Sequence, residues 1–370
     1  MERRKGLNFW GITGTNGKTT SVWIFAEFLN AAPPRKCGYI TTVEVFDGKD
    51  HYYTGYTTPP LKQLREIYAR MEANGCTDCV MEVSSHAIHQ NRTGDTIFTG
   101  GAFTNLSEDH LDYHKTMEEY FKVKASFAEK VTSVYVVCLD GSYGKEMLEA
   151  VQSSSLMVLP VTIKEPQFEL SGLKLVGDYN KSNVLTAATL AEAAGVPHAT
   201  IQGVIPRLKP RWGRLELVEN ERCPAKVYVD FAHTPDGLEK VLIAARSFTK
   251  GKLWVVFGAG GDRDPMKRPL MGEACARLAD RVVVTSDNPR SEDPKCIIAQ
   301  ILAGILNSEN LKIVTLPDRK EAIEYALSHA QKDDVVIIAG KGHETTQEIS
   351  GVKYPFDDRE VVRNVFSGSK

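Results

Sequence analysis

The chain has 370 residues, 42% hydrophobic and 25% charged, with 45 Lys plus Arg against 47 Asp plus Glu. This length suits two domains of ordinary size, and the near balance of charge excludes a broadly basic nucleic-acid or membrane surface, so any anion site must be local. No apolar run is long enough to span a bilayer, the basic start turns polar too soon for a signal peptide, and seven scattered Cys suit free thiols in a reducing cytoplasm.

Short β-rich runs alternate with amphipathic helical stretches throughout, which predicts an α/β architecture on mainly parallel sheets. Asn8–Thr13 reads as a buried strand, 14–17 as a loop and 19–29 as a helix. Strands are expected at 79–83, 101–105 and 134–137, and helices at 61–74, 117–130 and 181–194. Near Lys209-Pro210-Arg211-Trp212-Gly213 the pattern resets. A second series then follows: Lys226–Asp230, Pro235–Arg246, 252–257, Lys267–Leu278, 281–285, 294–306 and Val335–Ala339. The expected division is a P-loop NTPase-like domain over 1–209 and a smaller, doubly wound Rossmann-like domain over 210–370. Cys76-x-x-Cys79 has no second pair at zinc-ribbon spacing and reads as ordinary thiols.

Gly11-Ile-Thr-Gly14-Thr15-Asn16-Gly17-Lys18-Thr19-Thr20 joins a predicted strand to a predicted helix. Glycines there let backbone N–H groups close around phosphates, and the helix start adds partial positive charge. Lys18 would reach the β/γ-phosphates and the Thr19 hydroxyl would sit at Mg²⁺. Strict Walker spacing needs glycine where Ile12 stands, so the generic pattern misses by one residue. Glu82 ends one strand, and Asn105-Leu-Ser-Glu-Asp109-His110-Leu-Asp112-Tyr-His114 follows another. Carboxylates and imidazoles at adjacent strand ends can converge on a hard cation beside a triphosphate.

These stretches, with Glu82-Val-Ser84-Ser-His86 and Gln90-x-Arg92, resemble the motifs of the Mur ligase superfamily, and within it the MurE branch. Further stretches match it: Gly177-Asp-Tyr-Asn180-x-x-Asn183, Arg211-Trp-Gly-Arg214, Val229-Asp230-Phe-Ala-His233, the glycine-rich turn with Arg263 and Arg268, Asp287-Asn288-Pro-Arg290, and Gly340-Lys-Gly-His343-Glu344.

The resemblance implies an ATP-dependent amide ligase that adds meso-diaminopimelate to UDP-MurNAc-L-Ala-D-Glu, or a similar muropeptide acceptor, through an acyl phosphate. It assigns Gly14 to Thr20, Asn180, Asn183, Arg214 and Asp230 to ATP, and Thr57, Thr58, Ser84, Gln90 and Arg92 to the acceptor. Arg268, Asp287, Asn288, Arg290, Gly340 and Glu344 would form the amino-acid pocket. Thr19, Glu82 and His110 would bind Mg²⁺, joined by Lys124 as a CO₂-derived carbamate. Lys18 with His233 or Arg263 would spread the charge of phosphoryl transfer. Small molecules would be the only partners, and the chain a monomer. The family also has a uridine-gripping domain ahead of the phosphate loop, whereas ten residues precede Gly11 here. A nucleotide-free acceptor, as for folylpolyglutamate synthase, or a partner-dependent Mur-ligase-like subunit therefore stand as alternatives.

Overall fold

The computed structural model describes residues 6–152, 154–305 and 312–365. The chain divides into two compact units, Met1–Lys209 and Pro210–Lys370.

The first unit is built on β1 (Asn8–Thr13), β2 (Cys37–Ile40), β3 (Val45–Phe46), β4 (His51–Tyr52), β5 (Asp78–Glu82), β6 (Phe98–Phe103), β7 (Val131–Cys138) and β8 (Met157–Val161), in the order β4-β3-β2-β5-β1-β6-β7-β8. From β2 to β8 all neighbours run parallel, and β3 and β4 add an antiparallel edge. Its helices are α1 (Lys18–Asn30), α2 (Leu61–Ala73), α3 (Ser85–His89), α4 (Leu111–His114), α5 (Met117–Ala125), α6 (Gly144–Gln152), α7 (Asp178–Ala193) and α8 (His198–Val204). The central strands are apolar along their length because helices cover both faces of a parallel sheet. β1 lies between β5 and β6, with Ile12 paired to Glu82 and Thr13 to Phe103. The loops after all three strands therefore leave the same sheet edge side by side.

Two of the boundaries that differ from the sequence reading matter to the site. β6 ends at Phe103, short of the expected 105, which leaves Thr104 and Asn105 outside the ladder to bind the neighbouring loop. The expected helix over 117–130 ends at Ala125 and tightens into a 3₁₀ turn, Ser126–Lys130. That turn puts Phe127 edge-on to Phe98, with centroids 5.1 Å apart in the core, and lets Lys130 Nζ donate to Asn91 Oδ1, Thr93 Oγ1 and Gly94 O. A side-chain period does not distinguish the two helix types over so short a run.

The second unit carries β9 (Glu216–Val218), β10 (Lys226–Asp230), β11 (Leu253–Phe257), β12 (Arg281–Val284), β13 (Lys312–Thr315) and β14 (Val335–Ala339), in the order β13-β12-β11-β14-β10-β9, parallel except for β9. Around it stand α9 (Pro235–Arg246), α10 (Lys267–Leu278), α11 (Pro294–Ala303), α12 (Arg319–His329) and α13 (Asp358–Asn364), with a hairpin of β15 (Thr346–Ile349) and β16 (Val352–Pro355). α11 stops at Ala303, before the expected 306, which lies outside the described residues. Val229, Val256, Val283 and Ile338 centre the core. β14 returns between β11 and β10, and loops at such a reversal open a crevice at the strands' carboxyl ends. Arg319, fully buried, pins that end: it grips Asp358 bidentately at 2.8 and 2.7 Å and donates to Ser286 O and Ala339 O. Among the described residues no helix is long and apolar enough to cross a membrane.

Candidate active site

The loop after β1 has a backbone shape that selects glycine. Gly17 sits at φ 86°, and a Cβ at Gly14 would overlap the Thr104 hydroxyl. The segment after β6 straps the loop in place. Asn105 Oδ1 accepts from Asn16 N at 3.1 Å, while Asn105 Nδ2 and Thr104 Oγ1 donate to Asn16 O at 3.0 and 2.6 Å. Thr15 Oγ1 accepts from Ser107 N at 3.1 Å and shares a 3.1 Å hydrogen bond with Tyr120 OH. α1 then begins with no side-chain cap and no acidic residue in its first turn. Its leading N–H groups and positive end are left for an anion, with Thr20 in that first turn. Lys18 Nζ folds back to donate to Gly14 O and Thr15 O, both at 2.8 Å. Asn183 on α7 lies against this start, accepting from Ser21 Oγ at 3.4 Å, and Asn180 donates to Val176 O.

Glu82 closes β5 beside the loop, 1% exposed. Its carboxylate accepts from Thr19 Oγ1 at 2.7 Å, Thr42 N at 2.8 Å and Thr42 Oγ1 at 3.3 Å. A buried anion met by hydroxyl and amide groups, next to a phosphate loop, fits a hard cation. Among the described residues no group of three or more His, Cys, Asp or Glu forms a metal cage. Mg²⁺ would thus be shared between one or two side chains, phosphate oxygens and water, as that ion prefers. His110 is half-buried, in the left-handed region at φ 56°, with its ring 4.9 Å from that of His86. Burial outweighs the pull of Asp109 and holds its pKa down to about 4. The imidazole is therefore neutral near pH 7, the form that ligates metals.

Lys124, in the last turn of α5, is 1% exposed. Its Nζ donates to Gly14 O at 2.8 Å and lies 4.8 Å from the centre of the Tyr120 ring. Burial first, and the Lys18 charge second, hold its pKa well below the usual lysine range.

The five residues expected at the acceptor come together around the end of β5. Thr58 Oγ1 donates to Glu82 O at 2.8 Å and accepts from Ser84 N at 3.1 Å, while Thr57 Oγ1 accepts from Thr42 Oγ1 at 2.9 Å. Ser84 caps α3 by accepting from Ala87 N. Arg92 donates from Nη1 to Thr58 O at 3.2 Å and from Nε to Gln90 Oε1 at 2.8 Å.

In the second unit, Asp230 ends β10 buried, with its oxygens accepting from Leu215 N and Ala232 N. Burial raises its pKa against the lowering effect of Arg214. Arg214 lies 4.5 Å over the Phe231 ring, and His233 Nδ1 is 2.8 Å from Phe231 O. Arg263 is exposed and donates to Asp262 O. Asn288 Nδ2 donates to Glu344 Oε2 at 2.9 Å. Asp287 Oδ1 accepts from Asn288 N, and its Oδ2 is buried without a hydrogen bond. Gly340 N donates to Asp230 O. Arg290, at φ 51°, donates to Gly261 O at 2.6 Å and lies 3.7 Å from Glu348 Oε2. Glu292 is the partner of Arg268, which is 1% exposed and grips both its oxygens at 2.7 Å, with Gln300 Oε1 and Gly260 O as further acceptors. The charge of Arg268 is thus met inside the protein.

Several residues of this architecture were not assigned from sequence, among them Thr42 on Glu82, Thr104 and Tyr120 on the phosphate loop, and Lys341 beneath Glu344. The polar pair Thr41-Thr42, just past the apolar strand β2, was the one local signal for the first.

His343 yields a pH prediction. Its ring lies 5.0 Å from that of Phe231, and burial, then Arg214, Arg359, His233 and Lys341, push its pKa to about 3. The unfolded chain takes up this proton first, near the ordinary 6.5. The stability that the neutral ring contributes is full above that pH and is lost as pH falls towards about 3. Urea unfolding of the parent and His343→Phe should show a difference that shrinks or reverses on acidification; a pH-independent difference would contradict it.

Residues 12–173 match the family description "Mur ligase middle domain" and residues 213–342 match "Mur ligase, glutamate ligase domain". The UDP-N-acetylmuramoyl-L-alanyl-D-glutamate–2,6-diaminopimelate ligase of Caldanaerobacter subterraneus subsp. tengcongensis is 40% identical, over 98% of this chain and 79% of that protein. Its counterpart from Aquifex aeolicus is 41% identical, over 98% and 78%. Among solved structures, one of the same-named ligase aligns with a TM-score of 0.64 at 32% identity, over 98% of this chain and 79% of the other. A Mycobacterium tuberculosis folylpolyglutamate synthase complexed with ADP shares the fold, with a TM-score of 0.69 at 18% identity, over 91% and 88%.

Proposed function

This chain belongs to the Mur ligase family, and we propose that it joins meso-diaminopimelate to UDP-N-acetylmuramoyl-L-alanyl-D-glutamate at the expense of ATP. The first unit is the ATP-binding central domain, and the second is the ligase domain that holds the amino acid. The reaction belongs to the cytoplasm, with the chain acting as a monomer on small molecules, without nucleic acid or membrane.

ATP phosphates lie on the N–H groups of the loop 14–17 and of the start of α1, with Lys18 on the terminal phosphates and Asn180 and Asn183 serving the rest of the nucleotide. Thr19, Glu82, His110 and a Lys124 carbamate would hold Mg²⁺, which supplies neutralisation of the phosphate oxygens when bound. Arg92, with Thr57, Thr58, Ser84 and Gln90, orients the acceptor carboxylate. That carboxylate attacks the γ-phosphorus, the bond to the β-phosphate oxygen breaks, and ADP leaves. Lys18 stabilises the charge that develops. The free amine of the amino acid then attacks the acyl carbon of the acyl phosphate, and inorganic phosphate departs. Much of the acceleration comes from holding the two reactants in line.

The observation that carries the amino-acid assignment is Arg290 beside the Asn288–Glu344 pair. Its guanidinium can take a distal carboxylate bidentately, which lysine lacks, while Glu344 takes the distal ammonium. Arg290→Ala should lower kcat/KM for diaminopimelate on the order of 30- to 1000-fold, from a lost charge-assisted pair of about 2–4 kcal/mol, with KM for ATP little changed. A residue that only packs on the surface would leave turnover within about twofold. A parent that prefers lysine, or ignores both amino acids, would overturn the assignment.

A further inference from the structure

Lys341 is the first residue after Gly340, and its side chain is fully buried. Its Nζ donates to Thr346 O at 2.7 Å, Glu344 Oε2 at 2.9 Å and Asn288 Oδ1 at 3.2 Å. An ammonium has three N–H donors, and these acceptors use all three. Lys341 therefore has no donor left for a ligand and can act only through the groups it holds. Two of these are the pocket side chains Asn288 and Glu344. Lys341 fixes the Asn288 amide with its oxygen inward and its Nδ2 on Glu344. It also offsets the charge of Glu344, which is one-third exposed and whose Oε1 has no hydrogen bond among the described residues. Across the pocket, Arg290 faces Glu348 at 3.7 Å. Each of these two pairs joins one cation to one anion, so they suit a ligand end that itself carries both signs of charge.

We propose that Lys341 is a specificity-determining positioning residue: an internal cation that tunes the amino-acid pocket to a side chain ending in both an ammonium and a carboxylate, against one ending in an ammonium alone. The inference rests on the assignment of this pocket to diaminopimelate. Without Lys341, Glu344 loses the cation that touches it, which favours a lone ammonium and disfavours the extra carboxylate.

The test is amino-acid selectivity of the full chain, read as the ratio of kcat/KM for meso-diaminopimelate to that for L-lysine. In Lys341→Met the ratio should fall by about tenfold or more, the scale of a changed charge-assisted contact, while KM for ATP stays within about twofold. In a Glu344→Gln background the same substitution should leave the ratio unaltered, because the charge it uncovers is gone. Lys341→Gln, which can still donate to Asn288 and Thr346, is measured in parallel and should shift the ratio the same way, so one variant that fails to fold does not decide the matter. Equal losses for both amino acids in the folded variants, or the same shift with and without Glu344, would overturn the proposal and make Lys341 purely structural. A parent that does not use diaminopimelate would overturn the pocket assignment itself, a result visible before any variant is made.

Discussion

Lys124→Ala is expected to lose activity by roughly 100-fold or more, on the scale of removing one preorganised charge-stabilising group, and to regain part of it when acetate or formate is added. The expectation starts from the placement of the amine: 1% exposed, against Gly14 O and the Tyr120 ring, with its pKa held well below the usual range. A neutral amine can attack CO₂, forming an N–C bond and releasing a proton to give a carbamate anion. That change converts a buried amine into an anionic oxygen ligand beside the phosphate loop, where an anion suits a metal. If the carbamate is the working form, small carboxylates replace it and small amines do not. Activity of the parent should also fall in CO₂-depleted buffer and return with bicarbonate. Near-normal activity in the variant, or rescue by amines alone, would remove the carbamate. Circular dichroism of the variant checks that the loss is chemical, since a buried truncation also opens a cavity.

Lys18→Ala is expected to cut ATP turnover by a comparable or larger factor, on the order of 100- to 1000-fold or beyond, with little change in stability. Its ammonium, on a partly buried side chain, touches the backbone carbonyls of Gly14 and Thr15. Losing those hydrogen bonds costs about 1–2 kcal/mol, small beside the loss of turnover. ADP release and thermal unfolding, measured on one preparation, separate the two effects. Turnover within a few-fold of the parent would take Lys18 out of the mechanism; a large drop in Tm would mean that the side chain is structural.

Local signals carried the sequence reading where they were strong. α9 begins and ends as expected because Thr234 caps it by accepting from Gly237 N and Pro235 opens it. β10, α10 and β14 likewise fall where their apolar periods put them. The phosphate loop was legible despite Ile12 because its strand–loop–helix context is local. Other features depend on contacts remote in sequence. Nothing around Lys124 marks it as buried; as an isolated helical lysine it reads as exposed, and only the motif resemblance singled it out. Thr42 reaches Glu82 from the loop after β2, 40 residues away. Arg268 looks available for a carboxylate until Glu292, 24 residues on, is seen to occupy it. Lys341 stood in a quoted motif between two glycines, with no local sign that its three acceptors lay inside the protein.

The central claim is that this chain transfers diaminopimelate, and its most direct test is the mass of the product. Purified chain would be incubated with ATP, Mg²⁺, UDP-N-acetylmuramoyl-L-alanyl-D-glutamate, and equal meso-diaminopimelate and L-lysine. The expected result is an acceptor heavier by one diaminopimelyl residue, formed with one ADP and one phosphate per bond, and little or no lysyl product. A lysyl product in excess, or ADP formation with the acceptor left unchanged, would contradict it.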